Sequence, residues 1–297
     1  MPGGERWRER LSLNTRPTGR SWEDGERPAR SPGRATLPVR DRLAAAAIEA
    51  LARWTPYVES EICGLRDLVQ PGDVCLDVGA AAGIYTVALS RLAGPDGHVH
   101  SVEPLPFANL HVARLLNVAR STNVHQHAVA LGAEPGMDVM NVPIGRFGLV
   151  TGRSFLDRRA DGPDPNDEFG RHLTITVTVD TLDALCSRQG ISRLDFIKID
   201  VEGAELQVLE GGKEVIGSFR PAMLVEIEAR HTGRYRHTPE EVIAWTLDRG
   251  YSMFAWRRGW QPVDSIVPGT RNYLFDTAPR APRSRPRSRL ASPLGTR

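Results

Sequence analysis

The feature that most constrains this chain is a repeated alternation of short apolar runs with amphipathic segments of helical period. The pattern predicts a strand at Val74–Val78, a helix at Tyr85–Leu92, a strand at His98–Val102, a helix at Phe107–Ala119 and a strand at Val124–Leu131. It resumes with a strand at Leu173–Val179, a helix at Thr181–Arg188, a strand at Asp195–Val201, a helix at Ala204–Gly211 and a strand at Ala222–Ile227. Strands separated by helices cannot pair as tight hairpins, so they predict a parallel sheet with helices on both faces. The fold class is therefore α/β and Rossmann-like. The end breaks the alternation. A helix at Pro239–Arg249 precedes Tyr251–Trp256 and Asn272–Phe275, which predicts a C-terminal antiparallel hairpin at the sheet edge.

The same pass predicts the domain organisation. Residues 1–38 are rich in Arg, Gly, Pro and Ser without apolar period and read as a disordered extension. Residues 39–70 read as N-terminal helices, an Ala-rich one at Asp41–Trp54 and a shorter one at Glu59–Leu68. The Rossmann-like domain spans 71–277, and the Arg-rich, acid-free tail 278–297 reads as disordered and solvated. Within the domain, Ile144–His172 has weak periodicity and many Gly, Asp and Pro residues, and reads as a long loop.

Composition excludes several classes. A net charge of +2 supplies no global field for nucleic acid or membrane. The three cysteines, Cys63, Cys75 and Cys186, are far apart, which fits neither a disulfide framework nor a zinc site and is in keeping with a reducing cytoplasm. No run approaches the ~18–20 apolar residues of a membrane span.

The first strand ends in Asp77-Val78-Gly79-Ala80-Ala81-Ala82-Gly83 and enters a helix directly. Gly79 permits the sharp turn, Gly83 lets the helix start close to the sheet, and the amides there suit an anionic group of a ligand. Glu103 closes the second strand, where a carboxylate can accept hydrogen bonds from both ribose hydroxyls of a nucleoside. Val129, at the end of the third strand, stands where such folds pack an adenine, or else in the core. Asp77 discriminates between nucleotides: a carboxylate beside the glycine turn repels a diphosphate and favours the sulfonium and ammonium of S-adenosylmethionine. Ala81 occupies the position of the second glycine in a dinucleotide fingerprint, which also weighs against NAD. The closing hairpin points the same way. An NAD-dependent oxidoreductase and a non-catalytic scaffold that kept the fold remain as alternatives.

In the fourth unit, Lys198, Asp200 and Glu202 alternate with Ile197, Ile199 and Val201, so the three charges share one strand face. Three unpaired buried charges would be costly. Lys198 is therefore expected to pair with Glu226 or Asp200, while Glu202 points to an acceptor cleft. Asp200 and Glu202 are candidate catalytic bases, with His231, expected in a loop after the "VEIE" strand, as a third. No ligand spacing calls for a metal.

With its motifs in this order, "PGDVCLDVGAAAGIYT", "VEP", "AVALG", "VTVDTLD", "LDFIKIDVEGAELQVLEGG" and "MLVEIE", the chain from Pro71 to Phe275 resembles the FkbM family of S-adenosylmethionine-dependent methyltransferases. The "KIDVEGAE" block is the specific part. The resemblance implies S-adenosylmethionine as cofactor and O-methylation of a hydroxyl on a small molecule, sugar or polyketide. In one position the chain departs: the family reads D-V-G-A-N after the first strand, and Ala81 replaces the Asn.

Overall fold

The computed structural model describes residues 59–146, 148–162 and 169–277. The expected N-terminal extension, the helix at Asp41–Trp54 and the Arg-rich tail lie outside the described residues. The segment expected as a short helix at Glu59–Leu68 is a 3-10 turn, Ser60–Gly64, continued by a single α turn, α1 (Leu65–Leu68).

The main sheet begins with β1 (Val74–Val78), α2 (Ile84–Ala93), β2 (His98–Val102), α3 (Pro106–Ala119) and β3 (Val124–His127). It continues with β9 (Phe196–Ile199), α5 (Glu205–Glu210), α6 (Lys213–Phe219), β10 (Ala222–Glu226), α7 (Ala229–Thr232), α8 (Pro239–Leu247), β11 (Ser252–Trp256), β12 (Trp260–Pro262) and β13 (Asn272–Asp276). The eight strands lie in the order β12-β11-β13-β10-β9-β1-β2-β3. The five from β10 to β3 are mutually parallel, and β13 lies antiparallel between β10 and β11. This is the Rossmann-like arrangement expected from the alternation. Helix α6 was not anticipated; "GGKEV" reads as a turn followed by too few apolar positions to show a period.

Buried side chains alternate between two cores. Leu76, Val78, Ile197, Ile199, Met223 and Val225 fill one face of the parallel strands. Cys75, Phe196, Ala222 and Leu224 fill the other. By that alternation Asp77 and Lys198 fall on the second face, and they are direct cross-strand partners in the register.

Between β3 and β9 the structure corrects three expectations. Ile144–His172 is not a single loop. A second, five-stranded sheet includes β4 (Ala130–Leu131), β5 (Gly136–Gly145), β6 (Gly148–Leu149), β7 (Phe155–Leu156) and β8 (His172–Asp180). The strand expected at Val124–Leu131 is broken at Ala128 and Val129, so its two halves serve different sheets. The strand expected at Leu173–Val179 belongs to the second sheet, antiparallel to β5, before α4 (Leu182–Gln189) returns the chain to β9. The cause is that β5 and β8 have one face on the core and the other in solvent, while the β6 and β7 runs are only two residues long.

Candidate active site

The glycine turn after β1 approaches the end of β9 closely. Gly79 has φ +79°, and a Cβ there would lie 1.8 Å from the Asp200 carbonyl oxygen. Gly83 begins α2 with φ +76°; a Cβ would press on Val112 at 3.0 Å, so this glycine serves packing and lines neither recess of the site. Between them Ala81 adopts the left-handed region at φ +41°, and its amide donates to Glu103 Oε2 at 3.0 Å. The other carboxylate oxygen, Oε1, accepts from the Leu105 amide at 2.8 Å. Glu103 is thus clamped at the carboxyl edge of β2. Burial pushes its carboxyl up to about 7 against these two amides.

Gly79, Ala81, Glu103 and Val129 line an open cleft that runs on to Asp200, Glu202, Glu226 and His231. A second recess, also lined by Gly79 and Asp200, continues to Asp77, Tyr85, Lys198 and Glu59. Asp77 lies under the turn and outside the main cleft. It accepts a hydrogen bond from Thr86 Oγ1, and burial raises it to about 6.

The β9 strand ends at Ile199, earlier than expected, so strict alternation stops before Asp200. Lys198 Nζ is 3.2 Å from Asp200 Oδ2 and donates to Asn272 Oδ1 at 2.8 Å, which is one of the two pairings expected for it. Burial, then the neighbouring Glu226, pushes Asp200 up to about 7.

Glu202 sits at φ +56°, an uncommon conformation for a non-glycine residue that the surroundings must enforce. Three contacts do so. Glu205 Oε1 accepts from the amides of Val201 at 3.0 Å and Gly203 at 3.1 Å. Gly203 packs so near His231 that a Cβ would be 2.3 Å from its carbonyl oxygen. Arg234 Nη1 donates to the Glu202 carbonyl at 2.9 Å. The "EGAE" motif is therefore a clip that aims Glu202 into the cleft, and burial holds its carboxyl well above the usual range.

His231 lies in α7, not in a loop as expected, and is 2% exposed. Its Nε2 is 3.2 Å from Glu202 Oε2 and its Nδ1 is 3.9 Å from Glu226 Oε2. Burial lowers it to about 4, so the ring is neutral at neutral pH. Arg153, Arg230 and Arg271 also line the cleft, and the sequence singled out none of them. Arg230 and Arg271 both pair with Glu228, whose own place after β10 was the only available signal.

The family described as methyltransferase FkbM domain matches residues 77–253, more than half of the chain. The chain belongs to the FkbM methyltransferase family. This is a family of S-adenosylmethionine-dependent methyltransferases, so the dinucleotide oxidoreductase alternative falls away.

Relatives show where the FkbM likeness extends. The protein-L-isoaspartate O-methyltransferase of Methanothrix thermoacetophila is 38% identical over 69 residues, 23% of this chain and 32% of that protein. This chain therefore spans about a third of the length of that relative. The 31-O-demethyl-FK506 methyltransferase FkbM of Streptomyces tacrolimicus is 30% identical over 172 residues, 50% of this chain and 64% of that one. Methyltransferase sdnD of Sordaria araneosa is 26% identical over 209 residues, 63% of this chain and 76% of that one. Among solved structures, FkbM from Methylobacillus flagellatus aligns with a TM-score of 0.42 at 15% identity, over 80% of this chain and 59% of that chain. Among the described residues no helix is long and apolar enough to cross a membrane.

Proposed function

We propose that this FkbM-family protein transfers the methyl group of S-adenosylmethionine to a hydroxyl oxygen of a small molecule, sugar or polyketide-type acceptor. The observation that carries the reading is the continuity of one acid-lined cleft from Gly79, Ala81 and Glu103 to Asp200, Glu202 and His231. The residues fit the donor. Glu103 can accept from its ribose hydroxyls, and Val129 can pack its base. The second recess, with Asp77 and Asp200, suits its ammonium. When bound, the donor supplies an electrophilic methyl already activated by sulfonium charge.

What remains for the protein is positioning and proton removal. Asp200 stands at the junction of the two recesses, where a carboxylate can take the hydroxyl proton. Glu202 and His231 orient the acceptor. Parallel calorimetric titrations with S-adenosylmethionine and NAD test the donor half of the reading. Saturable binding of S-adenosylmethionine, with no heat from NAD, is expected; binding of NAD alone would overturn it.

A further inference from the structure

Glu202, Glu226 and His231 come from three different elements, the turn after β9, the last residue of β10 and α7, yet they converge at the carboxyl edge of the sheet. One ligand atom from each lies within 4.8 Å of the other two. All three are buried. The 3.2 Å approach of His231 Nε2 to Glu202 Oε2 lacks hydrogen-bond direction. Among the described residues, neither ring nitrogen of His231, nor Oε2 of Glu202, makes a hydrogen bond. An imidazole that is 2% exposed with both nitrogens unsatisfied is costly, and most buried polar atoms in folded proteins have a partner. Of the buried cations nearby, Lys198 is engaged by Asp200 and Asn272, and Arg234 donates to the Glu202 carbonyl.

We propose that Glu202, Glu226 and His231 form a binding site for one divalent transition-metal ion of the Mn²⁺ type. Two ligands each ~2.1 Å from a shared ion lie roughly 3.0–3.4 Å apart, so the widest spacing, up to 4.8 Å, needs contraction of roughly 1.4–1.8 Å. Carboxylate oxygens suit Mn²⁺, and an imidazole nitrogen favours a transition ion over Mg²⁺. Three protein ligands leave coordination positions open, and these face the cleft that receives the acceptor. The ion would hold the acceptor oxygen beside Asp200. That last step rests on the methyl-transfer reading, whereas binding of the ion does not. Sequence spacing showed no such site because positions 202, 226 and 231 meet only through the parallel pairing of β9 and β10.

The test is titration of the chelator-stripped full-length chain with Mn²⁺, without donor or acceptor, following the electron paramagnetic resonance signal of the free aqueous ion. One ion per chain should be bound. His231→Gln and Glu226→Gln should each weaken it at least about tenfold, since even an outer-shell partner is worth ~10–100-fold in metal affinity. Saturating Mn²⁺ should also raise the Tm of the wild-type chain by mass action. That arm stands even if a variant fails to fold. A wild-type chain that leaves all Mn²⁺ in the free signal overturns the proposal, as does undiminished binding in both variants when folded. Because no donor is present, either result leaves the calorimetric test of methyl-donor binding independent.

Discussion

A methyl group on Gly79 would stand 1.8 Å from the backbone carbonyl oxygen of Asp200. The turn proposed to meet the donor and the acid proposed to meet the acceptor are thereby in backbone contact across β1 and β9. Their separation is set by sheet register, with no flexible side chain between them.

Gly79→Ala therefore should damage folding and donor binding together. The left-handed conformation alone costs an alanine ~1–2 kcal/mol, and the clash with a backbone atom adds to it. A fall in Tm of more than about 4 °C is expected, with loss of saturable S-adenosylmethionine binding by calorimetry. Wild-type values for both would show that the two strand ends are not in contact.

Ala81 holds a left-handed conformation at φ +41° that asparagine tolerates better. Ala81→Asn keeps the amide that bonds Glu103 and relieves part of the strain. The variant should be more stable by about 0.5–1 kcal/mol, seen as a Tm rise of roughly 2 °C. A lower Tm would mean that the space above the turn cannot take the larger side chain.

Glu103 gives a pH dependence with a definite sign. Its folded-state carboxyl titrates at about 7, above its ordinary value of 4.5. The folded chain therefore holds this proton more tightly than the unfolded one. The associated stability is complete below pH 4.5 and is lost as pH rises through 7. Ribose hydroxyls donate to the ionised form, so donor binding should release the proton. Affinity for S-adenosylmethionine should rise up to about tenfold between pH 6 and pH 8. Calorimetry in two buffers of different ionisation enthalpy would detect the released proton; affinity flat across this range would remove Glu103 from the ribose role.

Alternating apolar runs were enough to predict the parallel sheet, because buried parallel strands need continuous hydrophobic residues and helices must cover both faces. The proposed donor half of the site was legible for a related reason. Asp77, Gly79, Ala81 and Glu103 sit within two consecutive strand–helix units, so their spacing in the chain is nearly their spacing in space. Even there the structure places Asp77 beneath the turn, in the second recess, and packs Gly83 against Val112.

The proposed acceptor half depends on long-range pairing. Nothing local in "KIDVEGAE" reveals that Glu205 clips the turn, that Gly203 rests on His231, or that Arg234 fastens the Glu202 carbonyl. Ile144–His172 misled for the same reason: the two-residue strands β6 and β7 form only by pairing with β5, and Arg153 reaches the cleft from a 3-10 turn between them. Chain-local periodicity carries the sheet and its first turn. Convergence of Glu202, Glu226 and His231 arises only once β9 and β10 lie side by side, since contact between residues far apart in the chain is a property of the packed state.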